Sequence, residues 1–151
     1  MSEANQKSAD EGHGVSVVER DGSFTQDISA RKHSIVADEP ASVDGADLGM
    51  TPYELLLSAL GACTSMTLRM YAKRKGISLD RVSVELVHDR IDSEDCETCD
   101  DQPNKVDRIR RVVTIEGDVT EAQRARMLEI AAMCPVHRTL TNQIQILTEP
   151  A

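Results

Sequence analysis

Residues 51–76 constrain this chain more than any other stretch, because they read as one long helix with both ends written in. Thr51 is a good N-cap, and Pro52 suits the first helical position. Glu54, three residues after Thr51, completes a capping box. Lys73, Arg74 and Lys75 fall where the helix dipole favours cations, and Gly76 supplies the stop. From Leu55 to Leu68 there is no charge. That run is too short for a bilayer, which needs roughly 17 to 25 apolar residues. A helix apolar on nearly every side is expected to be buried in a core. Cys63 sits near its middle, in line with Leu56, Ala59, Leu60, Met66 and Met70. Ser58, Ala62 and Ser65 make a second face of small side chains, on which another backbone can approach closely.

The rest of the chain must cover that helix. Its 151 residues suit one domain with a full core. Aromatics are only 2%, so the core is built from Leu, Ile, Val, Met and Ala. A formal net charge of −9 makes nucleic acid and anionic membrane poor partners. Residues 1–13 are polar, lack the apolar segment of a secretory signal, and read as a disordered tail before a domain spanning 14–151. The expected compartment is the cytoplasm, where thiols stay reduced. Four cysteines there read as catalytic, metal-binding or inert rather than as a disulfide framework.

Taken in order, residues 15–18 and 24–28 read as short strands on either side of the turn Arg20-Asp21-Gly22, and residues 32–37 as a third. Residues 40–50 form a loop into the helix. Beyond Gly76, residues 82–88 alternate as a half-buried strand. Residues 92–105 form an acidic hairpin loop, and 109–116 the returning strand. Thr120-Glu121-Ala122-Gln123 is a second capping box, opening a helix to about Cys134. Pro135 interrupts it, residues 136–140 can form one more turn, and 143–147 read as a closing strand. The order β-β-β-α-β-β-α-β is an α+β pattern with largely antiparallel sheets.

Cys63 and Cys134 each lie on the apolar face of an expected helix, where a cysteine taken alone is more often a small hydrophobe than a nucleophile. Two features favour chemistry. These are the only two long helices of a small domain, so their cysteine faces are expected to meet within disulfide range. Cys134-Pro135-Val136-His137 also places Cys134 where it can cap a new turn, and a thiol at a helix N-terminus is easier to deprotonate. His137 stands close enough in that turn to assist, or to be purely structural.

These residues carry a family resemblance. Pro52-Tyr53-Glu54-Leu55-Leu56-Leu57 through Gly61-Ala62-Cys63-Thr64, with Cys134-Pro135-Val136 far downstream, resembles the OsmC/Ohr family of thiol-dependent hydroperoxide reductases. The likeness covers essentially residues 15–147. Val36-Ala37-Asp38-Glu39-Pro40 and Leu68-Arg69-Met70-Tyr71-Ala72 are similar to its OsmC-like branch. The resemblance implies an intertwined homodimer with two central helices between sheets from both chains. It implies a small apolar hydroperoxide as substrate, a dithiol as reductant and no cofactor. The cysteine matching Cys63 attacks the peroxide and becomes a sulfenic acid. The cysteine matching Cys134 resolves it to a disulfide, which the dithiol reduces by exchange. An arginine of the N-terminal hairpin steadies the thiolate, with Arg20 the better match and Arg31 the competitor. A carboxylate at the helix start orients that arginine. Its position in the Ohr branch is Tyr53 here, with Glu54 next to it, about 100° further round.

Cys96-Glu97-Thr98-Cys99 is a separate signal. One Cys-x-x-Cys is half of a tetrahedral zinc site, with the missing ligands to come from His88, Asp95 or another chain. It can also be a redox dithiol or plain loop surface. Met66, Met70, Met127 and Met133 either line an apolar pocket or fill the core. The reading that follows is a cysteine-based reductase of organic hydroperoxides. Its alternative is a binding or redox module of the same fold without peroxidase activity, with metal at Cys96 and Cys99.

Overall fold

The computed structural model describes residues 12–99 and 104–151. Most of the expected tail, and residues 100–103 of the acidic loop, lie outside them. The chain divides into two compact units, one through Leu55 and one from Leu56 onward, and each is described by itself. The fold is α+β with antiparallel sheets, as the sequence pattern implies.

In the first unit, β1 (Ser16–Glu19), β2 (Gln26–Ala30) and β3 (His33–Ala37) form a three-stranded antiparallel meander. Its first turn carries Asp21 and Gly22 at positive φ, which is the backbone that the sequence Arg20-Asp21-Gly22 favours. Arg20 donates through Nε and Nη2 to the Asp27 carboxylate. The buried anchor of this unit is Asp38, 2% exposed. Its carboxylate accepts bonds from Thr25 Oγ1 at 2.8 Å, Glu39 N at 2.7 Å, Leu48 N at 3.3 Å and Ala46 N at 3.4 Å. The loop after β3 is thereby wrapped around one side chain. Gly45 is part of that wrap: a Cβ there would lie 1.8 Å from Glu39 O.

The long helix α1 (Pro52–Lys75) has the capping box expected of it, with Glu54 N donating to Thr51 Oγ1 at 3.2 Å and Thr51 N to a Glu54 oxygen at 2.7 Å. It leads into β4 (Ser78–Asp92), which pairs antiparallel with β5 (Lys105–Asp118) along nearly their full lengths. The two strands are longer than the apolar alternation indicated. Their polar outer portions are joined by the ladder and by exposed pairs such as Arg108–Asp89. Helix α2 (Glu121–Ala131) opens with the Thr120–Gln123 capping box, and α3 (Pro135–Thr141) follows a break at residues 132–134. Leu68, Tyr71, Ala72, Leu79, Ile115, Met127, Ile130 and Ala131 pack as the core between helices and ladder. Gly61 sets one close approach: a Cβ there would lie 2.8 Å from Leu86 Cδ1 of β4.

Three expectations are corrected. α1 is not buried on nearly every side: Leu60, Gly61, Thr64, Leu68, Tyr71 and Ala72 form its one buried stripe. Met66 and Met70 are 66% and 71% exposed, because two antiparallel strands and one packed helix cover only one face. Met127 alone of the four methionines is core, and Met133 is exposed as well. Residues 143–147 form no strand and are exposed throughout. Their alternation Gln-Ile-Gln-Ile needs a sheet edge to pair with, and among the described residues none receives it.

Candidate functional site

α1, β5 and the α2–α3 break bring four side chains together in the second unit. The break is built by sequence: Pro135 begins α3, and Cys134 becomes its N-cap. Cys134 is fully buried, and its Sγ accepts the His137 backbone N–H at 3.3 Å. Thr64 Oγ1 lies 4.0 Å from the same sulfur. That hydroxyl donates to Leu60 O at 2.7 Å inside α1. The same oxygen accepts from Arg111 Nη1 at 3.0 Å. The other arm of the guanidinium, Nη2, reaches His137 Nδ1 at 3.2 Å.

This geometry fixes a tautomer. A guanidinium has no acceptor, so Nδ1 must present its lone pair and the ring proton sits on Nε2. Burial, then the nearby Arg111 charge, holds the His137 pKa below its ordinary value, which favours that neutral ring. The cluster is therefore one fixed cation, one neutral imidazole, one hydroxyl and one thiol. Cys63 stands next to Thr64 in α1, half-buried and free, and Cys134 is also a free thiol. The residue turned to Cys134 is Thr64 rather than Cys63, about 100° away round the helix.

Arg111 is the residue that sequence reasoning missed. It has a recognisable signal. Ile109, Val113 and Ile115 face inward from β5, and Arg111 falls in the same period-two register. A charged side chain on the apolar register of a strand needs a partner inside, and here it has two.

The other expected site residues fall elsewhere. Arg20 belongs to the first unit, engaged with Asp27. Glu54 serves the α1 cap. Cys96 and Cys99 are joined in a disulfide, so neither is a free thiolate for a metal in this state. His88, a suggested further ligand, bonds Asp107 through Nε2 at 2.8 Å. Among the described residues no group of three His, Cys, Asp or Glu side chains is arranged to hold an ion. The disulfide instead lines a cleft of about 700 Å³ together with Leu60, Asp95, Arg111 and His137.

Comparison with known proteins gives a consistent picture. The sequence profile of the family described as OsmC-like protein matches residues 45–149. Among solved structures, an OsmC-like protein from Mycoplasma pneumoniae superimposes with a TM-score of 0.69 at 22% identity, over 87% of this chain and 88% of that one. An organic hydroperoxide resistance protein OsmC from Legionella pneumophila gives 0.61 at 14% identity, over 86% and 89%. The organic hydroperoxide resistance protein OhrB of Bacillus subtilis gives 0.59 at 17% identity, over 86% and 90%. No curated protein matches the sequence. At these identities the structural likeness speaks for the fold. No helix among the described residues is long and apolar enough to cross a membrane.

Proposed function

This chain belongs to the OsmC-like protein family, and from that premise we propose that it is a cytoplasmic, thiol-dependent reductase of organic hydroperoxides. One observation carries the reading. A free half-buried cysteine, Cys63, lies one residue from a hydroxyl that touches a second free cysteine, Cys134, and that hydroxyl is held by a buried-side arginine. The Arg111 guanidinium, one hydroxyl away from the Cys134 sulfur, is a fixed positive charge that favours a thiolate over the thiol.

In the proposed cycle the Cys63 thiolate attacks one peroxide oxygen. The O–O bond breaks, an S–O bond forms, and the other oxygen leaves as an alcohol after taking a proton. Cys63 is now a sulfenic acid. Cys134 attacks its sulfur and releases water, leaving a Cys63–Cys134 disulfide. The break before Pro135 is where local movement brings the Cys134 sulfur across. A dithiol then returns both cysteines to thiols by exchange. The structural neighbours named organic hydroperoxide resistance proteins support an organic peroxide as the substrate. A homodimer is part of the proposal, because the apolar stripe of α1 at Met66 and Met70 is otherwise left in water.

The test is single-turnover oxidation with cumene hydroperoxide beside hydrogen peroxide. Cys134→Ser should leave one trappable sulfenic acid per chain, and Cys63→Ser should consume peroxide no faster than a free thiol. Equal, free-thiol reactivity in both variants rejects the peroxidase and leaves a binding or redox module of the same fold.

A further inference from the structure

The proposed cycle leaves one disulfide without a role. Cys96 and Cys99 sit in the β4–β5 loop just after a single 3-10 turn, Ser93–Asp95, and are bonded to each other. Both are half-buried, facing the same cleft as the Arg111 and His137 side chains. His137 is also the residue whose backbone N–H touches Cys134 Sγ. The loop disulfide and the residue whose N–H meets the buried Cys134 sulfur thus line one cleft. Cys96–Cys99 is the disulfide, while Cys63 and Cys134 are both free thiols. Cys134 itself is fully buried, out of direct reach of a bulky external dithiol.

We propose that Cys96 and Cys99 are an internal dithiol relay that reduces the Cys63–Cys134 disulfide and is itself recharged by an external dithiol. This rests on the peroxidase reading for the origin of the central disulfide. One loop thiolate attacks Cys134 Sγ, a mixed disulfide forms, and Cys63 leaves as a thiolate and takes a proton. The second loop thiolate attacks its neighbour's sulfur in the mixed disulfide. Cys134 leaves as a thiolate, and the Cys96–Cys99 disulfide remains. Two electrons have moved inward and the disulfide outward, with sulfur count and protons balanced. An external dithiol then exchanges with the loop disulfide at the mouth of the cleft.

Reach is tested without peroxide. Full-length protein carrying Cys63→Ser with Cys96→Ser, and separately Cys63→Ser with Cys99→Ser, retains Cys134 and one loop cysteine. Oxidation by diamide should give an intrachain disulfide from Cys134 to the loop in at least one of the two, read by mass spectrometry after alkylation. Its absence in both overturns the relay, whatever the peroxide result. Transfer is tested in fully reduced wild-type protein given cumene hydroperoxide. The first equivalent should end on Cys96–Cys99, with Cys63 and Cys134 alkylatable, and the chain should consume two equivalents rapidly. The Cys96→Ser, Cys99→Ser variant should consume one and hold it as Cys63–Cys134. A wild-type chain that keeps the disulfide on Cys63–Cys134 with the loop thiols free overturns the relay while leaving the peroxidase intact. If no protein consumes peroxide rapidly, the peroxidase fails, and the diamide crosslink alone decides the relay.

Discussion

Arg111 Nη1 donates to Thr64 Oγ1 at 3.0 Å, joining the middle of β5 to the middle of α1, and that hydroxyl lies 4.0 Å from Cys134 Sγ. The contact holds a positive charge near the Cys134 sulfur, where the proposed cycle needs a thiolate. A hydrogen bond to a charged group is worth about 1.5–3 kcal/mol net, which corresponds to roughly 10- to 150-fold in rate if it acts in the transition state. Arg111→Met should therefore slow peroxide reduction by about that factor while circular dichroism stays native. Arg111→Lys should not restore the rate, since one ammonium cannot span Thr64 and His137 as the guanidinium fork does. Stopped-flow thiol oxidation reads both variants. Unchanged rates would remove Arg111 from the chemistry.

The pH dependence of stability should carry a signature from His137. Its folded pKa lies below the ordinary 6.5, through burial and then Arg111. Above 6.5 the ring is neutral in both states and contributes no pH dependence. As pH falls below 6.5 the unfolded chain takes up the proton first, so stability is lost in that direction until the folded ring also titrates. His137→Gln should flatten the thermal midpoint between pH 7 and pH 5 relative to wild type. Parallel curves for the two proteins would show that the ring is not held neutral.

The exposed stripe of α1 makes a statement about assembly. Met66 and Met70 sit on the helix face that the core does not cover. If a second copy covers it, light scattering at micromolar concentration should give a mass near twice 16.6 kDa. Met66→Glu with Met70→Glu should return the mass to one chain, because a buried unpaired carboxylate at an interface is strongly unfavourable. A wild-type monomer would overturn the dimer.

Asp38 should prove the most sensitive position of the N-terminal unit. Burial raises its pKa, but four hydrogen bonds, from Thr25 Oγ1 and the N–H groups of Glu39, Leu48 and Ala46, outweigh burial and hold it below the ordinary 3.8. A lowered carboxylate stabilises the fold above its unfolded value, and that stabilisation is lost as pH falls through the lowered folded value. Asp38→Asn should lower the thermal midpoint at pH 7 clearly more than Asp27→Asn, whose pair is exposed. Equal midpoints would mean the loop wraps without the charge.

Much of this protein is local and therefore legible in one dimension. The Thr51 and Thr120 caps, the Pro135 restart with Cys134 at its head, the Asp21-Gly22 turn and the alternation of residues 82–88 each depend on neighbours a few positions away. The paired motif around Cys63 and Cys134 carried the family for the same reason: each half is a short, fixed string. What only the tertiary structure decided depends on contacts between distant segments. Register across β4 and β5 turned Arg111 inward, where it meets Thr64 47 residues away. Helix packing chose Thr64 rather than Cys63 as the neighbour of the buried thiol. The four backbone and side-chain donors on Asp38 are set by how a loop folds back, which no periodicity encodes. Residues 143–147 show the opposite limit. Their alternation is a strand's, yet a strand exists only where an edge is offered, and pairing is a property of two segments rather than of one.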